Sequence, residues 1–238
     1  MKKYFLICWI TLWVVLAMGD VQPEAQTVLF ESGWENGQDI GIADRVLYSK
    51  GVSGLQCSRQ LIQGAHAGSY ALVLAGTSRD SYSYSYWMVF DRNIQVTAGM
   101  KVGYWIYHVS GSPKVAIDGG FLDGNTIRDF GGGVLKDQYG VPIHPAARRD
   151  PMNQWYYVEV DLTPAAGRTL DSLMFAFDNG GDGFKGQFKA YVDDLRIFVS
   201  PPPVSGTVFE SGWEDGQNLG YENRVEYSKD VAGYYGTS

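Results

Sequence analysis

Twenty-one residues, Phe30 to Lys50 (FESGWENGQDIGIADRVLYSK), return later in the chain as Phe209 to Lys229 (FESGWEDGQNLGYENRVEYSK). Fourteen of the aligned positions are identical, at an offset of 179. Composition alone does not hold Trp34, Glu31 and the terminal Tyr-Ser-Lys in register with a second copy, so this is an internal repeat, and its period sets the unit of folding. The unit is one module of roughly 170 residues followed by the opening of another. The second copy runs only to Ser238. The chain is therefore expected to be a fragment of a longer polypeptide.

Within the module, apolar or alternating runs recur between turn residues. They are TVLFE (27–31), RVLYS (45–49), SYALVLA (69–75), SYSYWMVF (83–90), MKVGYWIYHV (100–109) and PKVAIDGGFL (113–122), and then TIRDF (126–130), QWYYVEVDL (154–162), LDSLMFAFD (170–178) and GQFKAYVDDLRIFV (186–199). Period-two patterning bounded by Gly, Pro, Asn, Asp or Ser reads as β-strand, and no helical stripe competes with it. The 30 glycines, 16 tyrosines and 7 tryptophans suit an all-β sandwich with many turns.

The ends read differently. Residues 1–19 carry Lys2 and Lys3, an apolar run from Tyr4 to Met18, and Ala17 and Gly19 at the spacing of a cleavage site. This predicts a secretory signal peptide, because the run is short for a membrane span. Residues 20–26 are a spacer and 27–199 the β-sandwich module. SPPPVSG (200–206) is a stiff extended linker, and 207–238 are the incomplete second copy. Loss of the two leader lysines changes 19 basic against 26 acidic residues to 17 against 26, or −7 to −9. Such a balance argues against nucleic acid and anionic membrane as partners. After cleavage of the leader only Cys57 is left, so the module holds no internal disulfide.

FESGWE, HAGSYALVLAG (66–76), the Trp155-to-Val158 run and YVDDLRI (191–197), taken in this order, resemble the galactose-binding-like, jelly-roll carbohydrate-binding modules of secreted glycoside hydrolases. The resemblance covers roughly residues 27–199. The tract Gly131 to Asn153 lies outside the common pattern. The resemblance implies a jelly-roll β-sandwich that binds polysaccharide or another glycan, exported and joined to further modules. It also implies a structural calcium ion between an acid near the first strand and an acid in the last. Glu31 matches the first position and Asp193 the second, with Asp194 as its neighbour. Calcium takes six to eight oxygens, so carbonyls or water would complete the shell. The alternative reading of these acids is solvation of strand ends.

Sugar sites pair aromatic faces with planar hydrogen-bonding groups. Tyr82, Tyr84 and Tyr86 share one face of a strand. If Trp87 and Val89 point into the core, the three line an outer sheet face as a stacking platform; the opposite parity buries them. Trp105 and Tyr107 likewise share a face, opposite Tyr104 and Ile106, and one of the two pairs is core. Asp118 and Asp129 at strand-like runs, with His144 and Arg148 on the long 131–153 loop, are the polar candidates for ligand hydroxyls. Trp34 and Trp213 recur with the repeat, which points to packing near the first strand.

Catalytic signals are weak. Glu159 and Asp161 share a strand face, but the alternating acid run of jelly-roll glycosidases is broken by Thr163. His66, His108 and His144 lack zinc spacing and accompany no nucleophile motif, and Gly131–Gly133 is not followed by the Lys-Ser/Thr of a phosphate loop. The reading is a non-catalytic module that targets a larger secreted or surface protein to polysaccharide, with avidity from tandem copies. The alternatives are a structural or adhesive envelope module and a jelly-roll hydrolase or lyase.

Overall fold

The computed structural model describes residues 26–35, 45–130 and 135–200. The chain divides into a unit over residues 1–201 and a second over 202–238. The leader, most of the spacer and linker, Gly131–Gly133 and the second copy with Glu210 and Trp213 lie outside the described residues.

The strands are β1 (Thr27–Ser32), β2 (Arg45–Lys50), β3 (Val52–Leu61), β4 (Tyr70–Ser78), β5 (Tyr84–Gln95), β6 (Met100–Ser110), β7 (Val115–Phe121), β8 (Trp155–Asp161), β9 (Thr169–Asp178) and β10 (Gly186–Val199). The helical elements among the described residues are short 3-10 turns, at Pro145–Ala147 and Thr163–Ala165. The larger sheet has the order β3-β4-β10-β6-β8, with β1 on β10, and the smaller has the order β2-β5-β9-β7. Among the described residues, every pairing between these strands is antiparallel. From β4 to β10, successive strands alternate between the two sheets of the sandwich.

Period-two patterning places the core between the sheets. Leu72 and Leu74 of β4, Tyr104 and Ile106 of β6 and Ala190 and Val192 of β10 face Trp87 and Val89 of β5 and Phe175 and Phe177 of β9. Phe177 stacks on Phe188 at 3.8 Å and Tyr104 meets Phe175 edge-on at 5.2 Å, so aromatic contacts join the layers. Trp34 is fully buried at the end of β1.

Two expectations change. β3, VSGLQCSRQL, was not among the predicted strands. It is an edge strand in which only Cys57 is buried, and a bulge between Ser53 and Gln56, with Gly54 at φ 61°, breaks its alternation. An edge needs hydrogen bonds on one side and little apolar pattern. Conversely, TIRDF (126–130) is not a strand. Apart from a bridge at Thr126, it is a turn that sends Ile127 into the core and bonds Asp129 N to Thr126 Oγ1.

The described part of the long loop, 135–153, drops Leu135 and Ile143 into the core. It is held by ions rather than left open to a ligand. Arg148, fully buried, gives Nη1 to Asp137 at 2.8 Å and Nη2 to Asp150 at 2.5 Å, while Asp137 Oδ1 accepts from Tyr139 N and Val141 N. Buried His108 lies 3.4 Å from Asp150. Arg148 is therefore corrected from ligand candidate to internal clamp, its five donors turned inward. Arg148→Ala strands two carboxylates in the interior and is expected to destabilise the module by about 3–5 kcal/mol in urea titration.

Candidate functional site

With Trp87 and Val89 in the core, Tyr84 and Tyr86 stand on the outer face of the smaller sheet. Tyr48 of β2 pairs in register with Tyr86 and stacks on it, with centroids 4.5 Å apart and planes at 28°. Tyr84 meets both edge-on, at 6.3 and 6.1 Å. Tyr48 is 46% exposed and Tyr86 1%, so Tyr86 is a floor and not itself a contact surface. This corrects the picture of three equal tyrosines. Tyr82, 69% exposed, stands before β5 with its ring beside Gly181 in the turn after β9.

The cover of Tyr86 is Arg128, delivered by the turn that follows β7. Its guanidinium carbon is 5.1 Å from the Tyr86 centroid and its Nη1 donates to the Tyr86 hydroxyl. The same fork faces three acids: Asp129 Oδ2 at 2.8 Å from Nε, Asp118 Oδ2 at 3.7 Å from Nε, and Asp178 Oδ2 at 3.9 Å from Nη1. One cation thus holds carboxylates from β7, β9 and the intervening turn on one aromatic face. His144 closes the margin. Its Nδ1 accepts from Ala146 N at 3.1 Å, which leaves Nε2 as the donor, and burial lowers its pKa against the opposing pull of Asp178. A shallow cavity of about 370 Å³, lined by Pro142, His144, Ala146 and Ala147, extends the margin.

Asp118 is the buried member of the set. Its Oδ1 accepts from Gly119 N and Arg128 N at 2.8 and 3.0 Å, while Oδ2 has no hydrogen bond. Burial outweighs the two N–H donors and pushes its pKa up to about 7. It orders the Arg128 turn from below and is not itself exposed to a ligand.

Trp105 and Tyr107 lie on the other outer face, that of the larger sheet, because Tyr104 and Ile106 take the core side of β6. There His66 stacks on Trp105 at 3.9 Å and is bonded through Nδ1 to Asp194 Oδ2 at 2.6 Å. Glu159 pairs with Lys101 at 2.6 Å and accepts from the Tyr157 hydroxyl, and Asp161 Oδ1 accepts from Thr163 N. Both acids of that strand are engaged.

The acids matched to calcium sit at the β1–β10 junction. Glu31 and Asp194 line a cavity of about 140 Å³ with Ser32, Gly33, Leu195 and Arg196. Glu31 faces Arg196 at 3.8 Å. Asp193 is buried, with Oδ2 accepting from Ala67 N and Oδ1 from Asp194 N; burial pushes its pKa up to about 6. No group of three or more His, Cys, Asp or Glu side chains gathers as a metal set among the described residues. The acid of the repeat that holds the 62–69 loop is Glu35, whose Oε1 accepts from Ser69 N and Tyr70 N.

Sequence reasoning missed Tyr48, Arg128 and Asp178. Tyr48 stands in the repeat at an outward position of RVLYS, the one signal that was available. Arg128 was hidden in a run read as strand, and Asp178 closed a strand whose parity the core decides.

The chain is similar to β-sandwich carbohydrate-binding modules. One solved structure, on the promiscuous specificity of such modules, matches with TM-score 0.42 and 16% identity over 63% of this chain and 55% of that one. The CBM22-1 xylan-binding domain of Paenibacillus barcinonensis Xyn10C matches with TM-score 0.39 and 13% identity over 75% of this chain and 98% of that one. The glycoside hydrolase domain of Endo-D from Streptococcus pneumoniae R6 matches with TM-score 0.46 and 14% identity over 71% of this chain, which spans only 27% of that one. No family model matches the sequence, and no curated protein does.

The proton on Asp118 has a measurable consequence. A carboxyl whose pKa rises from 3.8 to about 7 on folding adds stability that is fully present below pH 3.8 and is lost as pH rises to about 7. Asp118→Asn is expected to flatten the fall in melting temperature between pH 4 and pH 7, as followed by calorimetry.

Proposed function

We propose that this module binds carbohydrate non-covalently on the outer face of the β2–β5–β9–β7 sheet. The observation that carries the reading is the convergence of Tyr48 and Tyr84 with Arg128, Asp129, Asp178 and His144 on one face. A sugar ring offers apolar C–H faces ringed by hydroxyls. Tyr48 and Tyr84 supply the apolar contact, the carboxylates accept from hydroxyls, and Arg128 and His144 donate to them. Acids outnumber the cation, which favours a neutral glycan over an anionic one.

In this reading the fold is a galactose-binding-like jelly roll. Its role is to hold a larger exported polypeptide on polysaccharide, with the tandem copy raising avidity through effective concentration. Targeting needs only affinity and proximity.

Tyr84→Ala and Tyr48→Ala are each expected to weaken binding to a neutral polysaccharide about tenfold, or about 1.4 kcal/mol, in isothermal titration, with far-UV circular dichroism unchanged. A parallel reducing-sugar assay separates binding from turnover. Product release would favour a hydrolase or lyase, and silence in both assays a spacer or adhesive module.

Calcium at Glu31 with Asp193 or Asp194 is the second part of the proposal, supported by the two acids that share one small cavity at the β1–β10 junction. Backbone oxygens of that junction would complete the shell. EDTA is expected to lower the melting temperature and excess calcium to restore it; an unchanged melt would sink the ion.

A further inference from the structure

The larger sheet carries aromatic side chains that the proposed site does not use. Across β8, β6 and β10, Trp155, Tyr107 and Tyr191 are register partners in one row, with ring centroids 5.6 and 6.1 Å apart. The next row, Tyr157, Trp105 and Asp193, is closed over by His66 on Trp105, whose loop also accepts the Trp155 indole N–H at Gly64 O. The first row stays partly open and leads into a groove of about 320 Å³, the scale of a small-ligand site. Its floor is small, Ala75 and Thr77 of β4, and one wall is Gln187 and Lys189 of β10. Gly54, at φ 61° in the β3 bulge with nothing within 4 Å of where a Cβ would lie, leaves the other wall low.

The charge of this groove differs from that of the opposite face. Lys189 is the only charged residue lining it, and its ammonium sits 5.0 Å from the Tyr191 ring centre with no carboxylate paired to it among the described residues. A cation beside an aromatic row in which Tyr107 and Tyr191 are tilted by 31° and Trp155 stands edge-on at 66° is, in a protein of net charge −7, a local inversion of sign. A neutral sugar ring would gain from it only a hydrogen bond to a hydroxyl, whereas a carboxylate would gain a charge-assisted one. A ring that carries a carboxylate would stack its C–H face on Tyr191 and Tyr107 and set the acid against Lys189, with Thr77 and Gln187 left for hydroxyls.

We infer that the outer face of the β3–β4–β10–β6–β8 sheet is a second glycan surface, one that takes a uronic acid residue. It shares with the proposed function only the class of ligand, and the two sites are on opposite faces.

Titration of the full chain with tetragalacturonate tests it, with a neutral xylotetraose control. Binding is expected to fall about tenfold in Lys189→Met and in Tyr191→Ala, to weaken with added salt, and to persist in Lys189→Arg and in Tyr84→Ala. Circular dichroism confirms that each variant is folded. Absence of tetragalacturonate binding overturns the inference, as does its loss in Tyr84→Ala with Lys189→Met unaffected. Equal, Lys189-dependent binding of xylotetraose also overturns it. Failure of neutral polysaccharide at Tyr48 and Tyr84 would sink the proposed function and leave this surface standing.

Discussion

A strand in a two-layer sandwich has one dry side, and each residue placed there commits its neighbours to the outside. Trp87 and Val89 on β5 put Tyr84 and Tyr86 on one outer face; Tyr104 and Ile106 on β6 put Trp105 and Tyr107 on the other. No single contact sets this parity. It follows from burying Trp87 and Val89 of one strand and Tyr104 and Ile106 of the other between the sheets, where Phe175 meets Tyr104 and Phe177 stacks on Phe188. A one-residue slip would bury the outer tyrosines and strand their hydroxyls. The protein's two aromatic surfaces are therefore consequences of its core.

The two surfaces share aromatic composition but not charge. On the smaller sheet, Arg128 is outnumbered by Asp118, Asp129 and Asp178, and the site holds together because the guanidinium offers donors in several directions. Burial keeps Asp118 protonated up to about pH 7, which limits the negative charge gathered beneath one arginine. On the larger sheet, Asp194 is taken by His66 and Glu159 by Lys101, and Lys189 alone faces the groove. The two aromatic faces thus differ in sign of local charge.

Ion pairing also explains the 135–153 tract. A long turn-rich loop with histidine and arginine has the look of a binding loop, yet its arginine is turned inward between Asp137 and Asp150. The cluster fastens the loop along the sandwich edge and positions His144 at the margin of the aromatic face. Exposure of a loop in sequence terms says nothing about which of its side chains reach solvent. Arg148 and His144 are four residues apart and have opposite fates.

The alternating runs by themselves determined an all-β sandwich, because period-two patterning bounded by turn residues admits little else. They placed nine of the ten described strands and paired Trp105 with Tyr107 on one side. They missed β3, since an edge strand needs little apolar pattern, and they read TIRDF as a strand because a turn that buries one Ile looks the same locally. Only the tertiary structure decided which side of each strand was dry, that Tyr48 lies on Tyr86, and that Arg128 gathers acids distant in sequence. Those facts depend on which strands become neighbours, and strand order in a two-sheet sandwich is set by packing between sheets rather than by any stretch of residues alone.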